Sequence, residues 1–110
     1  MTIRALLDTG ASATCVDPEV LSSLGLTPTG KVTVNTPTTG NQPVMKDQYD
    51  VGLIIHGATL EAPPLTIESL PVLSAELHNQ QGFHALIGMD VIGTCLFILD
   101  GQTKLFSLAF

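Results

Sequence analysis

The sequence predicts a mostly β fold with one or two short helices, in a single domain that spans residues 1–110. Turn-forming residues recur about every ten positions between short runs of β-forming residues, a spacing typical of small all-β proteins. A chain of 110 residues has the length of one domain with one modest hydrophobic core. Only 13% of the residues are charged, against about 25% in soluble domains, and this apolar excess predicts an interface between subunits.

The N-terminal quarter predicts two short strands and a helix. The first strand ends at Leu7, and residues 13–16 form the second. Asp17 can accept hydrogen bonds from the free N–H groups of a helix that starts at Pro18 and ends at Gly25. The expected apolar face of this helix consists of Val20, Leu21 and Leu24.

The rest of the chain predicts hairpins and one helical turn. Residues 31–55 form a strand, a long loop with Gly40 near its tip, and a second strand. A turn near residues 56–57 and a strand over residues 65–70 follow. The C-terminal third contains, in order, the segments HALIG, MDVIG, CLFILDG and KLFSLAF. We expect these to be a buried strand, a helical turn, a strand with an Asp-Gly turn, and a last strand.

Composition excludes several classes of function. The net charge is −6 and the four basic residues are scattered, so we expect no nucleic-acid partner. No apolar run approaches the roughly 20 residues of a membrane span. Cys15 and Cys95 are too few for a disulfide scaffold. His56, His78 and His84 lack the spacing of metal ligands, so we expect no metal and no cofactor.

The stretch LLDTGAS, residues 6–12, places the carboxylate of Asp8 at the end of an apolar strand. Burying an unpaired charge is costly, so Asp8 is either exposed or paired. On its own, this pattern favours a turn acid that hydrogen-bonds its own loop. A second apolar-apolar-glycine strand end, Leu86-Ile87-Gly88, occurs far downstream and changes that assessment.

Together these two motifs resemble the retropepsin-like aspartic proteases, in particular their non-viral branch. In that family a strand-borne Asp-Thr/Ser-Gly loop supplies the catalytic acid, and an apolar-apolar-Gly strand lies beneath it. The segment LIGMDVI, the strand over residues 95–100 and a closing strand extend the resemblance to nearly the whole chain. It implies a small closed β-barrel that acts as a homodimer.

The resemblance implies roles for the residues of both motifs. Asp8 would be the catalytic acid, Thr9 would hydrogen-bond across a two-fold axis, and Gly10 would let the substrate backbone approach. The active-site loop would continue through Ala11 and Ser12. The residues that support the loop from below would be Leu86, Ile87 and Gly88.

Three departures from the family pattern change these expectations. Only seven residues precede Asp8, which leaves the viral dimer sheet in doubt. Viral enzymes often pair an acid and an arginine where Ser12 and Met89 stand, and losing both leaves no unpaired charge. Ala11 offers no hydroxyl to stabilise the ionised carboxylate, so we expect activity at mildly rather than strongly acidic pH. Asp90 is expected to cap the following helical turn.

Aspartic proteolysis needs two carboxylates that share one proton, and this chain supplies one Asp-Thr-Gly loop. Asp8 would therefore meet Asp8 of a second copy across a two-fold axis. A polypeptide substrate would bind in an extended conformation beneath two hairpin tips. The flap candidate is the hairpin tip at residues 36–42, and its central residues are Thr38, Thr39, Gly40 and Asn41. An ordinary surface loop is the alternative interpretation of that tip.

Two other functions remain open at this point. The same fold could be a non-catalytic dimerisation or peptide-binding module, although such a scaffold has no physical need for an intact Asp8-Thr9-Gly10. A small monomeric β-barrel that binds an apolar ligand would make Asp8 dispensable. The N-terminus lacks the features of a secretory signal, so we expect a cytoplasmic protein, with a periplasmic location or a longer parent chain as alternatives.

Overall fold

The computed structural model describes residues 1–35, 42–77 and 82–110. This part of the chain forms short strands and two short helices. The strands, numbered β1 to β8, are Ala5–Leu7, Cys15–Val16, Gly30–Val34, Val44–Ile55, Leu65–Ser74, Ala85–Ile87, Leu96–Asp100 and Leu105–Ala109. The helices are α1, Pro18–Ser23, and α2, Met89–Ile92. The mostly β fold predicted from the sequence is confirmed.

Six strands form one sheet in the order β1-β6-β2-β5-β4-β3. The sheet curls into a half-barrel with β1 and β3 as its outer strands, whereas we had expected a fully closed barrel. β1 and β6 are parallel, with Leu6 opposite Leu86 and Leu7 opposite Ile87. The C-terminal ends of these two strands therefore lie side by side, which brings together the residues that follow each of them.

The hydrophobic core lies on one face of this sheet, where the two helices pack. Burial alternates along the strands, as a sheet with one buried face requires. In β6, for example, Ala85 and Ile87 are buried while Leu86 is only half-buried. The buried sheet residues are Val16, Leu70, Val72, Ala85 and Ile87. The helices contribute Val20, Leu21, Val91 and Ile92.

Helix α1 begins where the sequence predicts. Asp17 is fully buried, and its two carboxylate oxygens accept from the N–H groups of Glu19 at 2.9 Å and Leu77 at 2.8 Å. Gly25 ends the helix with a φ of 69°, a conformation that glycine adopts without strain. The apolar face is smaller than predicted, because Leu24 is 47% exposed.

The hairpin of β4 and β5 is longer than its sequence indicates. The predicted strand over residues 65–70 continues to Ser74, and Pro71 lies inside it, opposite Asp50. A bulge between Val51 and Leu53 shifts the register of the pair. Such a bulge increases the local twist, in keeping with the curl of the sheet.

The C-terminal strands β7 and β8 form a separate two-stranded sheet. Both faces of this hairpin are apolar, because Leu99 pairs with Phe106 on one face and Ile98 lies on the other. Its exposed apolar residues are Leu96, Ile98, Leu99, Leu105 and Phe106, each at least 55% exposed. In a single copy of the chain, this hairpin therefore leaves apolar side chains exposed to solvent.

None of the helices in the described ranges has the length and hydropathy needed to cross a membrane.

Candidate active site

Asp8 is the first residue after β1 and lies at the junction with β6. Its N–H donates to the carbonyl oxygen of Ile87 at 2.9 Å, which extends the parallel pairing of β1 and β6 by one step. Asp8 is half-buried. The pairing of β1 with β6, whose Ala85 and Ile87 are buried, therefore fixes the position from which this carboxylate projects.

The Asp8 loop, residues 8–12, forms a tight turn around the carboxylate. The N–H of Gly10 donates to Asp8 Oδ1 at 2.9 Å, and the N–H of Ala11 donates to the Asp8 carbonyl at 3.2 Å. A Cβ at Gly10 would lie 3.3 Å from Oδ1, so glycine leaves the carboxylate room to adjust. Asp8 thus has the side-chain hydrogen bond of a turn acid. Its Oδ2 has no hydrogen bond to the described residues and is available to a ligand.

Gly88 lets the chain after β6 pass directly against the Asp8 loop. A Cβ at this position would lie 2.7 Å from the Ala13 carbonyl carbon and 2.9 Å from the Ala11 carbonyl oxygen. Both are backbone atoms that cannot rotate away. The next residue, Met89, donates its N–H to the same Ala11 oxygen at 2.7 Å. Of the predicted support segment Leu86-Ile87-Gly88, Ile87 and Gly88 thus contact the Asp8 loop through backbone atoms.

Thr14 and Asp90 join the loop to helix α2, and Thr14 did not stand out in the sequence. Thr14 is 2% exposed. Its N–H donates to Asp90 Oδ2 at 2.9 Å and its hydroxyl donates to Asp90 Oδ1 at 2.8 Å. The same hydroxyl accepts from the N–H of Gly88 at 3.1 Å. The N–H and the hydroxyl of Thr14 therefore help to hold the two motifs together, while its carbonyl oxygen accepts from the N–H of Leu73 at 3.0 Å.

The expected capping role of Asp90 is wrong in detail. Gly88 is the N-cap of α2 and makes no side-chain capping bond, while Asp90 is the second residue of the helix. Its carboxylate accepts from the N–H of Val91 at 3.0 Å as well as from Thr14. Asp90 is a structural acid, as expected, but one that connects distant segments. The sequence could not show this, because 76 positions separate the partners.

The other predicted loop residues face outward. Thr9 and Ser12 are exposed, and neither side chain makes a hydrogen bond within the described ranges. Met89 is 42% exposed. The flap candidates Thr38, Thr39, Gly40 and Asn41 lie outside the described residues. The strands that lead to this tip are paired up to Val34 opposite Val44.

Cys15 lies next to Leu86 and near three charged groups. Burial raises the pKa of its thiol above the ordinary value, and the negative charges of Asp90 and Asp8 raise it further. The positive charge of Lys46 acts in the opposite direction. The thiol therefore stays protonated at neutral pH and contributes an apolar wall beside the loop. No group of three or more metal-ligating residues occurs in residues 1–35, 42–77 and 82–110.

Comparison with protein families shows that an aspartyl protease model matches residues 1–91. This match includes the Asp8 loop, Gly88 and Asp90, and it covers most of the chain. The chain belongs to the aspartyl protease family, within the retropepsin-like clan. Comparisons with curated proteins and with solved structures gave no significant match.

Membership of the aspartyl protease family supports a peptidase function for the chain. In such chemistry a carboxylate activates water and a second acid group donates a proton to the departing amine. This aspartyl protease chain presents one Asp-Thr-Gly loop. The hairpin of β7 and β8 begins after the last matched residue.

Proposed function

We propose that this protein is an aspartic endopeptidase whose active site forms between two copies of the chain. One Asp8 from each subunit contributes to a pair of carboxylates that shares one proton. The ionised member removes a proton from a water molecule that attacks the scissile carbonyl. The protonated member hydrogen-bonds the carbonyl oxygen, and the departing amine then takes up a proton.

The observation that carries this proposal is the single Asp-Thr-Gly loop in a chain of the aspartyl protease family. The geometry supports it, because one oxygen of Asp8 is held by Gly10 while the other is available. Gly88 and Thr14 fix the loop from below, so the carboxylate is oriented before substrate binds. Thr9 is exposed beside Asp8, where it would hydrogen-bond to the partner's loop.

The hairpin of β7 and β8 is the proposed dimer interface. Its exposed apolar residues lie on both faces, and removing them from water would contribute roughly 25 cal/mol for each Å² buried. Closed two-fold symmetry is the commonest arrangement of homo-oligomers and would bring equivalent loops to one axis. The low content of charged residues agrees with such an interface.

A cleavage assay with matched variants tests the catalytic part of the proposal. The parent protein, Asp8→Asn and Asp50→Asn are incubated with a diverse mixture of unstructured peptides between about pH 4 and pH 7. Asp50 is an exposed acid on β4 and serves as the control. New termini are identified by mass spectrometry. We expect cleavage by the parent and by Asp50→Asn, and none by Asp8→Asn.

Mixing subunits tests whether the two carboxylates act as a pair. If each active site needs Asp8 from both chains, adding an equal amount of Asp8→Asn protein leaves about half of the parent's activity after subunit exchange. Unchanged activity would contradict the shared site. No cleavage by any variant, with all of them dimeric in sedimentation experiments, would instead favour a peptide-binding module on this fold.

The interface is tested separately by the oligomeric state. Phe106→Asp places a charge on the exposed hairpin, and we expect it to convert the dimer to monomers and abolish cleavage. Leu60→Asp is the matched control, because Leu60 is fully exposed in the connection between β4 and β5. A Phe106→Asp variant that remains dimeric and active would show that the interface lies elsewhere.

A further inference from the structure

The face of the sheet opposite the core carries a continuous row of side chains. Residues directly opposite one another on neighbouring strands point to the same face. The pairings that define this row are Leu6 with Leu86, Leu86 with Cys15, Cys15 with Leu73, and Leu73 with Gln48. Leu6 is 45% exposed, and the other members are half-buried. Asp8 lies two residues beyond Leu6 and therefore projects from the same face.

Lys46 continues this face on β4, two residues before Gln48. It is half-buried and lies opposite Val32 of β3. The neighbouring Lys31 and Asp47 point to the other face of the hairpin, where they form an exposed ion pair at 3.8 Å. Within the described ranges Lys46 has no ion pair. An apolar row thus ends in the primary amide of Gln48 and in a half-buried lysine whose ammonium group has no ion pair in the described ranges.

Electrostatics places Lys46 in the neighbourhood of the catalytic loop. Cys15 lies in the middle of the row, and the charges that act on its thiol include those of Asp90, Lys46 and Asp8. The Lys46 charge alone lowers the pKa of this thiol, against burial and the two acids. The charges of Lys46 and Asp8 therefore both affect the Cys15 thiol, on the sheet face that lies opposite the core.

We propose that Lys46 determines substrate specificity, by selecting peptides that carry an Asp or Glu side chain close to the scissile bond. This inference rests on the proposed peptidase function and identifies a class of substrate for it. An extended peptide bound beside Asp8 would present alternate side chains to the sheet face that carries this row. A carboxylate there forms a charge-assisted hydrogen bond with the ammonium group of Lys46, a residue that is half-buried. The Gln48 amide is placed to donate a second hydrogen bond.

Defined peptide pools test this specificity. Three pools of short peptides share random apolar residues at the centre and carry Glu, Gln or Lys at the flanking positions. For the parent we expect kcat/KM about tenfold higher for the Glu pool than for the Gln pool. High salt should weaken this preference, because the site is partly exposed.

Substitutions of the lysine separate charge recognition from folding. Lys46→Gln should process the Glu and Gln pools within about twofold of each other, and Lys46→Glu should prefer the Lys pool. Lys31→Gln, on the other face of the same hairpin, is the control and should keep the preference of the parent. Cleavage by the parent without a preference for the Glu pool, or a preference that survives Lys46→Glu, would overturn the assignment of Lys46.

Binding distinguishes a failure of this inference from a failure of the proposed peptidase. Fluorescence anisotropy measures the affinity of the same labelled pools for Asp8→Asn protein with and without Lys46→Glu. Preferential binding of the Glu pool that reverses with Lys46→Glu supports the role of Lys46 even if no variant cleaves peptides. If the protein shows no cleavage and no selective binding, both proposals are overturned.

Discussion

Replacing Thr14 by Val tests whether the hydroxyl network holds the candidate active site together. The two side chains are similar in size, and Thr14 is 2% exposed, so the substitution changes hydrogen bonding at a packed position. It removes the bond from the hydroxyl to Asp90 Oδ1 and leaves the N–H of Gly88 without its acceptor. A hydrogen bond to a charged group contributes about 1.5–3 kcal/mol, and a buried unpaired donor costs about 1–3 kcal/mol. Since Asp90 keeps its bonds from the Thr14 and Val91 N–H groups, we expect a loss near the lower sum, about 2.5 kcal/mol.

Thermal and urea unfolding measure this loss. At about 4–8 °C for each kcal/mol, Tm should fall by roughly 10–20 °C. Protein concentration must be the same for all samples, because the Tm of a dimer depends on it. Thr33→Val is the control, since Thr33 is exposed and, among the described residues, its hydroxyl hydrogen-bonds only to the sulfur of Met45, at 3.0 Å. A loss below about 1 kcal/mol for Thr14→Val, close to that of Thr33→Val, would refute the argument.

Three further predictions concern a close contact and two titrating groups. Gly88→Ala should lower the free energy of unfolding by about 1–3 kcal/mol or more, because its Cβ would lie 2.7 Å from a backbone carbon. Gly30→Ala is the control: its Cβ would lie in open space, so its Tm in the same melts should stay close to that of the parent. Iodoacetamide should modify Cys15 only well above neutral pH, because the pKa of its thiol is raised, mainly by burial. Peptide mass mapping measures the modification, and rapid modification at pH 7 would contradict this. The pKa of Asp100 is lowered, mainly by hydrogen bonds from Thr103. The contribution of this carboxylate to stability is therefore present above its unfolded-state pKa and is lost as the pH falls through its folded-state pKa. Asp100→Asn should therefore lose less stability than the parent on acidification below about pH 4, and equal losses would be evidence against this.

Local chemistry made much of the fold predictable. The cap at Asp17, the glycine at position 25 and the alternation along the strands are all decided within a few residues, and the structure has them where the sequence places them. The extension of β5 through Pro71 was missed, because proline usually interrupts a strand. The curled half-barrel is consistent with the predicted barrel type, although how far it closes depends on which outer strands pair, and a local sequence pattern does not determine that pairing.

The candidate site was predictable only in part. Asp8, Gly10 and Gly88 could be singled out from the sequence, because an acid or a glycine at the end of an apolar strand needs a chemical explanation. Thr14 was not, because a threonine next to a strand is an ordinary β-branched residue, and its role comes from Asp90, 76 positions away. Lys46 likewise gains meaning only from the register that places it on the face of Cys15 and Asp8.

Asp17 and Asp90, the two aspartates that hold separate segments of the chain together, differ from Asp8 in how completely the protein satisfies their carboxylates. Asp17 is fully buried and both its oxygens accept backbone hydrogen bonds. Asp90 accepts from Thr14 with both oxygens. Asp8, by contrast, has one oxygen held by Gly10 and another without a bond in the described part of the chain. A carboxylate that is fixed in direction but left half unsatisfied is poised for a partner outside its own chain, and this is what a shared catalytic pair requires.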